Sequence, residues 1–224
     1  MPSIDSKTGN LIVHIVYDGC PCSGKTETVR SLGRLLRREV YTPEERDGRT
    51  LLFDWMDYQG GLRMGRPIQC RVIAVPGQVE LRRRRAAILS AADAVVFVAD
   101  STPAGFDMST TQFADLQDLL AQRKRAVPIV LQLNKRDLGD ALPADQMLAS
   151  LEGPDVRKHT LTVATEGTGA RETFVFAVAE ALRALEEEGQ LYRIGSNEHS
   201  TQEVVLPEPD MLQEILKGYG PPRV

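Results

Sequence analysis

Two short clusters in this chain have the residue types and spacing to handle a nucleotide. Gly19-Cys20-Pro21-Cys22-Ser23-Gly24-Lys25-Thr26 fits G-x-x-x-x-G-K-[ST], in which glycines let backbone amides approach phosphate oxygens and the following helix presents its N-terminus to them. In such a loop the backbone of Gly19, Cys22, Ser23, Gly24, Lys25, Thr26 and Glu27 cradles the anion. Lys25 neutralises the β and γ phosphates, and the Thr26 hydroxyl goes to magnesium. The second cluster, Asn134-Lys135-Arg136-Asp137, follows an apolar run at 129–133. An aspartate there accepts the N1 and N2 protons of guanine, a pair that adenine does not offer. Ala164, at the end of a later run, is placed to offer its amide to guanine O6. Alone, N-K-x-D is a polar helix start. With the phosphate loop it selects GTP or GDP, held with Mg2+.

The residues around these clusters read more plainly. Cys20 and Cys22 occupy positions that contribute amides, so their side chains read as incidental, and two thiolates cannot complete a tetrahedral metal site. Pro21 removes one amide from the loop and fixes φ. Arg82-Arg83-Arg84-Arg85 point all around a helix, which reads as a solvated surface, with docking to an acidic partner or anionic lipid as the alternative. His14, His159 and His199 are isolated and read as structural or exposed.

To hold both clusters at one edge the chain needs a particular scaffold. Its alternation of elements predicts strand 11–17, a helix through Leu36, paired strands 50–56 and 68–75, and a helix 78–91. Strand 94–99, helix 111–124, strand 127–133, helix 143–151, strand 159–164 and helix 170–187 follow. The connection through Gln59-Gly60-Gly61 and Gly65-Arg66-Pro67 has no room for a crossover helix, so that pair is antiparallel. The rest is an α/β fold: a six-stranded, mostly parallel sheet with one antiparallel strand and helices on both faces. The carboxyl edge of such a sheet brings the two clusters side by side.

Val75-Pro76-Gly77-Gln78 lies between them. Together with Gly48-Arg49-Thr50-Leu51-Leu52-Phe53-Asp54 and Val96-Phe97-Val98-Ala99-Asp100-Ser101, it resembles the bacterial gliding-motility GTPases, the MglA family of Ras-like proteins, over residues 4 to 187. The resemblance implies a Ras-like P-loop GTPase fold. It also implies that Gly77 offers an amide near the γ phosphate, Gln78 orients the attacking water, Thr50 reaches magnesium and Arg49 is an arginine finger in cis. It implies slow hydrolysis stimulated by a roadblock-domain partner, unidentified effectors in polarity or motility, and recruitment to a cell pole by partners. Two departures stand out: Ala74 occupies the place, four before Gln78, where most Ras-like proteins keep an Asp for a magnesium-bound water, and the resemblance does not explain the segment beyond residue 188. Asp54, on the neighbouring strand, is an alternative support for the ion.

Composition bounds the rest. With 224 residues, a formal charge of -4 and pI near 5.5, the chain carries no general footprint for nucleic acid. Three cysteines fit no disulfide framework, and the cytoplasm is the expected compartment, with no membrane anchor of the protein's own. The expected organisation is a nucleotide-binding domain over 1–188 and an extension over 189–224, irregular with one short helix. A scaffold that holds guanine nucleotide without turnover remains the rival reading, on Pro21 and Ala74. A P-loop kinase of a small metabolite is opposed by Asn134 to Asp137.

Overall fold

Apolar runs without alternation must be covered on both sides, and that requirement shapes this chain. The computed structural model describes residues 3–5, 7–41, 54–63, 65–75 and 82–187. The strands are β1 (Ser3–Ile4), β2 (Leu11–Asp18), β3 (Asp54–Arg63), β4 (Arg66–Ala74), β5 (Ala94–Asp100), β6 (Ile129–Asn134) and β7 (Val156–Leu161). The helices are α1 (Lys25–Leu36), α2 (Arg82–Ala91), α3 (Pro103–Ala121), α4 (Ala144–Ser150) and α5 (Ala170–Glu187).

The main sheet has the six strands expected, in the order β3-β4-β2-β5-β6-β7, with β3 antiparallel to β4 and the other neighbours parallel. The two-residue β1 adds a short antiparallel pairing on β2. Side chains alternate across the sheet into two cores. Leu11, Val13, Ile15 and Tyr17 of β2 pack with Val96 and Val98 of β5 against α1 and α5. Val95, Phe97 and Ala99 of β5 pack with Leu131 and Leu133 of β6 against α2, α3 and α4. β2, β5 and β6 are buried along their whole length, so every helix N-terminus and loop at their carboxyl ends is set on a rigid base.

Several boundaries differ from the sequence reading for local reasons. The third helix begins at Pro103 rather than 111, because Thr102 caps it through an Oγ1 that accepts from the Gly105 amide at 3.2 Å and proline fits the first turn. Gly60 and Gly61 are not a turn: β3 runs on to Arg63 through a register irregularity between Gln59 and Leu62, with Gly61 at φ 74. The last strand is Val156–Leu161, earlier than 159–164, and residues 162–164 leave the sheet to serve the site. Residues 50–53, read as a strand start, and 78–81, read as a helix start, lie outside the described residues.

His14 is structural. It is buried on β2, with its backbone amide donating to Asp93 Oδ2 at 2.9 Å and its Nδ1 3.3 Å from the same oxygen. Burial works against the Asp93 carboxylate, but the bonds from His14 and the Arg125 guanidinium outweigh it, and the carboxyl titrates below its usual range. His159 is exposed on β7.

Thr102→Ala removes the cap of α3 and one hydroxyl contact to Asp100. It is expected to cost about 1 kcal/mol, read as a melting temperature about 2–4 °C lower by circular dichroism.

Candidate nucleotide-binding site

β2 ends at Asp18, and the chain then turns through a loop whose backbone repeatedly enters the left-handed region: Gly19 at φ 143, Cys22 at φ 60 and Gly24 at φ 102. Two of these positions also leave no room for a side chain. A Cβ on Gly19 would lie 2.3 Å from the Val98 carbonyl oxygen, and one on Gly24 would lie 2.2 Å from Asn134 Nδ2. Cys22 bears a left-handed φ with a side chain attached, and it is exposed. Such changes of backbone hand turn successive amides inward, the geometry of an anion nest. No side chain caps α1, whose first amides are left for a ligand.

Lys25, the first residue of α1, folds back over the loop. Its Nζ donates to the carbonyls of Gly19 at 2.9 Å and Cys20 at 2.7 Å. Burial pulls the ammonium below the usual lysine range, opposed by the carboxylate of Asp18. The two carbonyls fix the Nζ over the loop. Thr26 and Glu27 follow on the first turn and are half-buried. Ser23 is fully buried, and its Oγ has no partner among the described residues.

Asn134 ends β6 beside this loop and joins three segments. Its Nδ2 donates to the Ser23 carbonyl at 2.8 Å, while its Oδ1 accepts from the Ala164 amide at 2.9 Å and the Thr162 hydroxyl at 3.1 Å. Ser31 of α1 donates to the Ala164 carbonyl at 2.5 Å, so the 162–164 segment is tied to α1 as well. Lys135 adopts φ 65 and reaches across to Asp100 Oδ2 at 2.5 Å. The other oxygen of Asp100 accepts from the Thr102 amide and hydroxyl. Asp137 is exposed at the same edge of the sheet. The phosphate loop, Asn134, Lys135 and Ala164 are thus brought together, with the Ala164 amide engaged by Asn134.

Gly77, Gln78, Arg49 and Thr50 lie outside the described residues. The ends of the 42–53 segment are nevertheless pinned, because Tyr41 and Trp55 exchange backbone hydrogen bonds of 2.9 and 3.1 Å. Next to that bridge sits Asp54, which is 1% exposed and has no partner for either carboxylate oxygen among the described residues. It stands directly opposite Ala74 in the ladder. Asp54 and the Thr26 hydroxyl are oxygen donors of the kind a divalent ion takes.

Sequence reasoning missed two features here. Arg85 is not part of a solvated basic face: it is 2% exposed, and its guanidinium grips Asp18 with Nε–Oδ1 at 2.8 Å and Nη2–Oδ2 at 2.6 Å. The legible signal was an acidic residue closing an apolar strand. The side chain of Cys20 is also not incidental, since it is buried 3.3 Å from the Ser109 hydroxyl of α3. Among the described residues, no cluster of three or more His, Cys, Asp or Glu is placed to hold a metal, and no helix is long and apolar enough to cross a membrane.

Comparison with known proteins agrees with this site. The model of the ADP-ribosylation factor family matches residues 62–185. The mutual gliding-motility protein MglA of Myxococcus xanthus is 29% identical over 201 residues, covering 84% of this chain and 100% of the relative. The fold is that of the Arl6 BBS3 small GTPase from Trypanosoma brucei, solved with a bound nucleotide analogue, GppNp. That structure has a TM-score of 0.60 at 20% identity, over 77% of this chain and 99% of that one. A parallel sheet carrying such a loop and an N-K-x-D at one edge defines a Ras-like small GTPase. The chain belongs to the ADP-ribosylation factor family, and within the Ras-like proteins it is MglA-like.

Asn134→Ala would untie the loop from β6 and the 162–164 segment. Affinity for a fluorescent GDP analogue is expected to fall by about tenfold or more, because several buried partners lose their bonds at once.

Proposed function

We propose that this protein is a molecular switch that binds GTP and GDP with magnesium and hydrolyses GTP slowly until a roadblock-domain partner engages it, in cell polarity or gliding motility. The observation that carries the reading is the hydrogen-bonded union of the 19–26 loop and the N-K-x-D element through Asn134, which holds the two motifs side by side. The similarity to a gliding-motility protein along its full length supports the process. The nucleotide-binding unit is read as 1–188, with 189–224 as an extension, and the protein as cytoplasmic with recruitment to a pole through partners.

In this reading the loop amides of Gly19 and of residues 22–27 and the Lys25 ammonium hold the phosphate chain, while Asp137 and Lys135 hold the base; the Ala164 amide, engaged by Asn134, would turn from it to reach O6. Gly77 offers an amide to the γ phosphate, and Gln78 orients the water that attacks the γ phosphorus as the bond to the GDP oxygen breaks. Arg49 stabilises charge gathering on the phosphoryl oxygens. Magnesium, when bound, supplies further neutralisation of that charge. Thr26 and Thr50 would hold it, and the buried Asp54 carboxylate stands in for the acid that Ala74 lacks.

A nucleotide-holding scaffold without turnover is the second reading, favoured by Ala74 and the exposed Pro21. Phosphate release from GTP, measured with and without a roadblock-domain protein, separates the two. Tight binding with no release under either condition would establish the scaffold.

Arg49→Ala is expected to lower the partner-stimulated rate by about 10³-fold while leaving GDP affinity within about threefold. Asp54→Asn is expected to raise the magnesium concentration for half-maximal GTP hydrolysis by about tenfold or more, read by titrating the ion at saturating GTP.

A further inference from the structure

A carboxylate has the wrong sign for the root of an anion-binding loop, yet Asp18 occupies that place, one residue before Gly19 and fully buried. Its charge is met by Arg85 of α2 through two parallel hydrogen bonds of 2.8 and 2.6 Å, the fork geometry that guanidinium and carboxylate favour. Arg85 is anchored in turn on α3, donating to the Gln112 carbonyl at 3.3 Å. Buried charges of this kind are weakly screened by solvent, so each is felt at the adjacent loop. Asp18 and Arg85 already act with opposite sign on the Lys25 ammonium, which donates to the carbonyl of Gly19.

We propose that Arg85 is a counter-ion for Asp18 beneath the phosphate loop, so that nucleotide affinity depends on α2 keeping the pair closed. The inference rests on reading residues 19–26 as the phosphate site. With the pair closed, the loop presents Lys25 and the α1 amides to the phosphates with no opposing charge. With Arg85 withdrawn, Asp18 repels the phosphates and competes with them for Lys25. By linkage, the bound nucleotide favours the closed pair, and anything that draws Arg85 away favours release. α2 is well placed to carry such a signal, since it follows the 76–81 segment that contains Gly77 and Gln78.

The test is equilibrium binding of a fluorescent GDP analogue to the full chain and three variants, with a thermal melt of each. Arg85→Gln is expected to weaken binding about tenfold or more, and Asp18→Asn, which frees a cation beside the phosphates, to tighten it about threefold or more. The double variant Asp18→Asn/Arg85→Gln is expected to return to within about threefold of the parent. Opposite signs for the two single variants are the signature, because a packing role would weaken both. Equal weakening by both, parent-like binding by Arg85→Gln, or a double variant no better than Arg85→Gln would overturn the proposal. If Arg85→Gln does not fold, Asp18→Asn decides, and failure to tighten sinks the idea. A parent chain that binds no GDP would instead overturn the phosphate-site reading, and this inference with it.

Discussion

The site depends on one amide. Asn134 joins the phosphate loop at Ser23 to the end of β6 and to the amide of Ala164, residues far apart in sequence. The contact is possible because position 24 is glycine: a Cβ there would stand 2.2 Å from the Asn134 nitrogen. A missing side chain in one motif thus makes room for the side chain of the other. Because Asn134 is buried, each of these bonds is expensive to lose, and the amide resists alternatives.

Around that amide the protein concentrates strain and charge on one edge of a sheet that is otherwise rigid and apolar. Left-handed backbone at Cys22 and Lys135, a lysine pulled below its usual pKa, and an Asp54 carboxylate without partners among the described residues all cost stability where they stand. β2, β5 and β6, buried throughout, offset those costs. Features that oppose folding and gather at one edge are what a ligand site leaves when its ligand supplies the missing interactions.

Legibility followed the range of the interactions. The loop and the N-K-x-D element stand in the sequence as short local patterns, and the six-strand path was legible because short continuous apolar runs bounded by turn residues suit strands covered on both faces. The start of α3 is legible in Thr102-Pro103, a cap followed by proline, whereas apolar spacing alone marks only its later turns. The Gly60-Gly61 pair misled for a different reason: glycine marks a turn and a strand irregularity alike, and cross-strand register chooses between them. The run Arg82 to Arg85 looked solvated because helical spacing alone cannot say which of four arginines faces a buried acid 67 residues earlier.

What the sequence by itself determined is the residue types on offer: a G-x-x-x-x-G-K-[ST] loop, an N-K-x-D element from Asn134 to Asp137, and the strands that deliver both to one edge. These are set by short-range pattern and by the burial that apolar runs demand. Only the tertiary structure decided which polar groups meet. It paired Asp18 with Arg85, tied Asn134 to Ser23 and Ala164, and set Asp54 opposite Ala74. Those outcomes depend on which side chains the packing of distant elements removes from water together, and pattern along the chain does not carry that information.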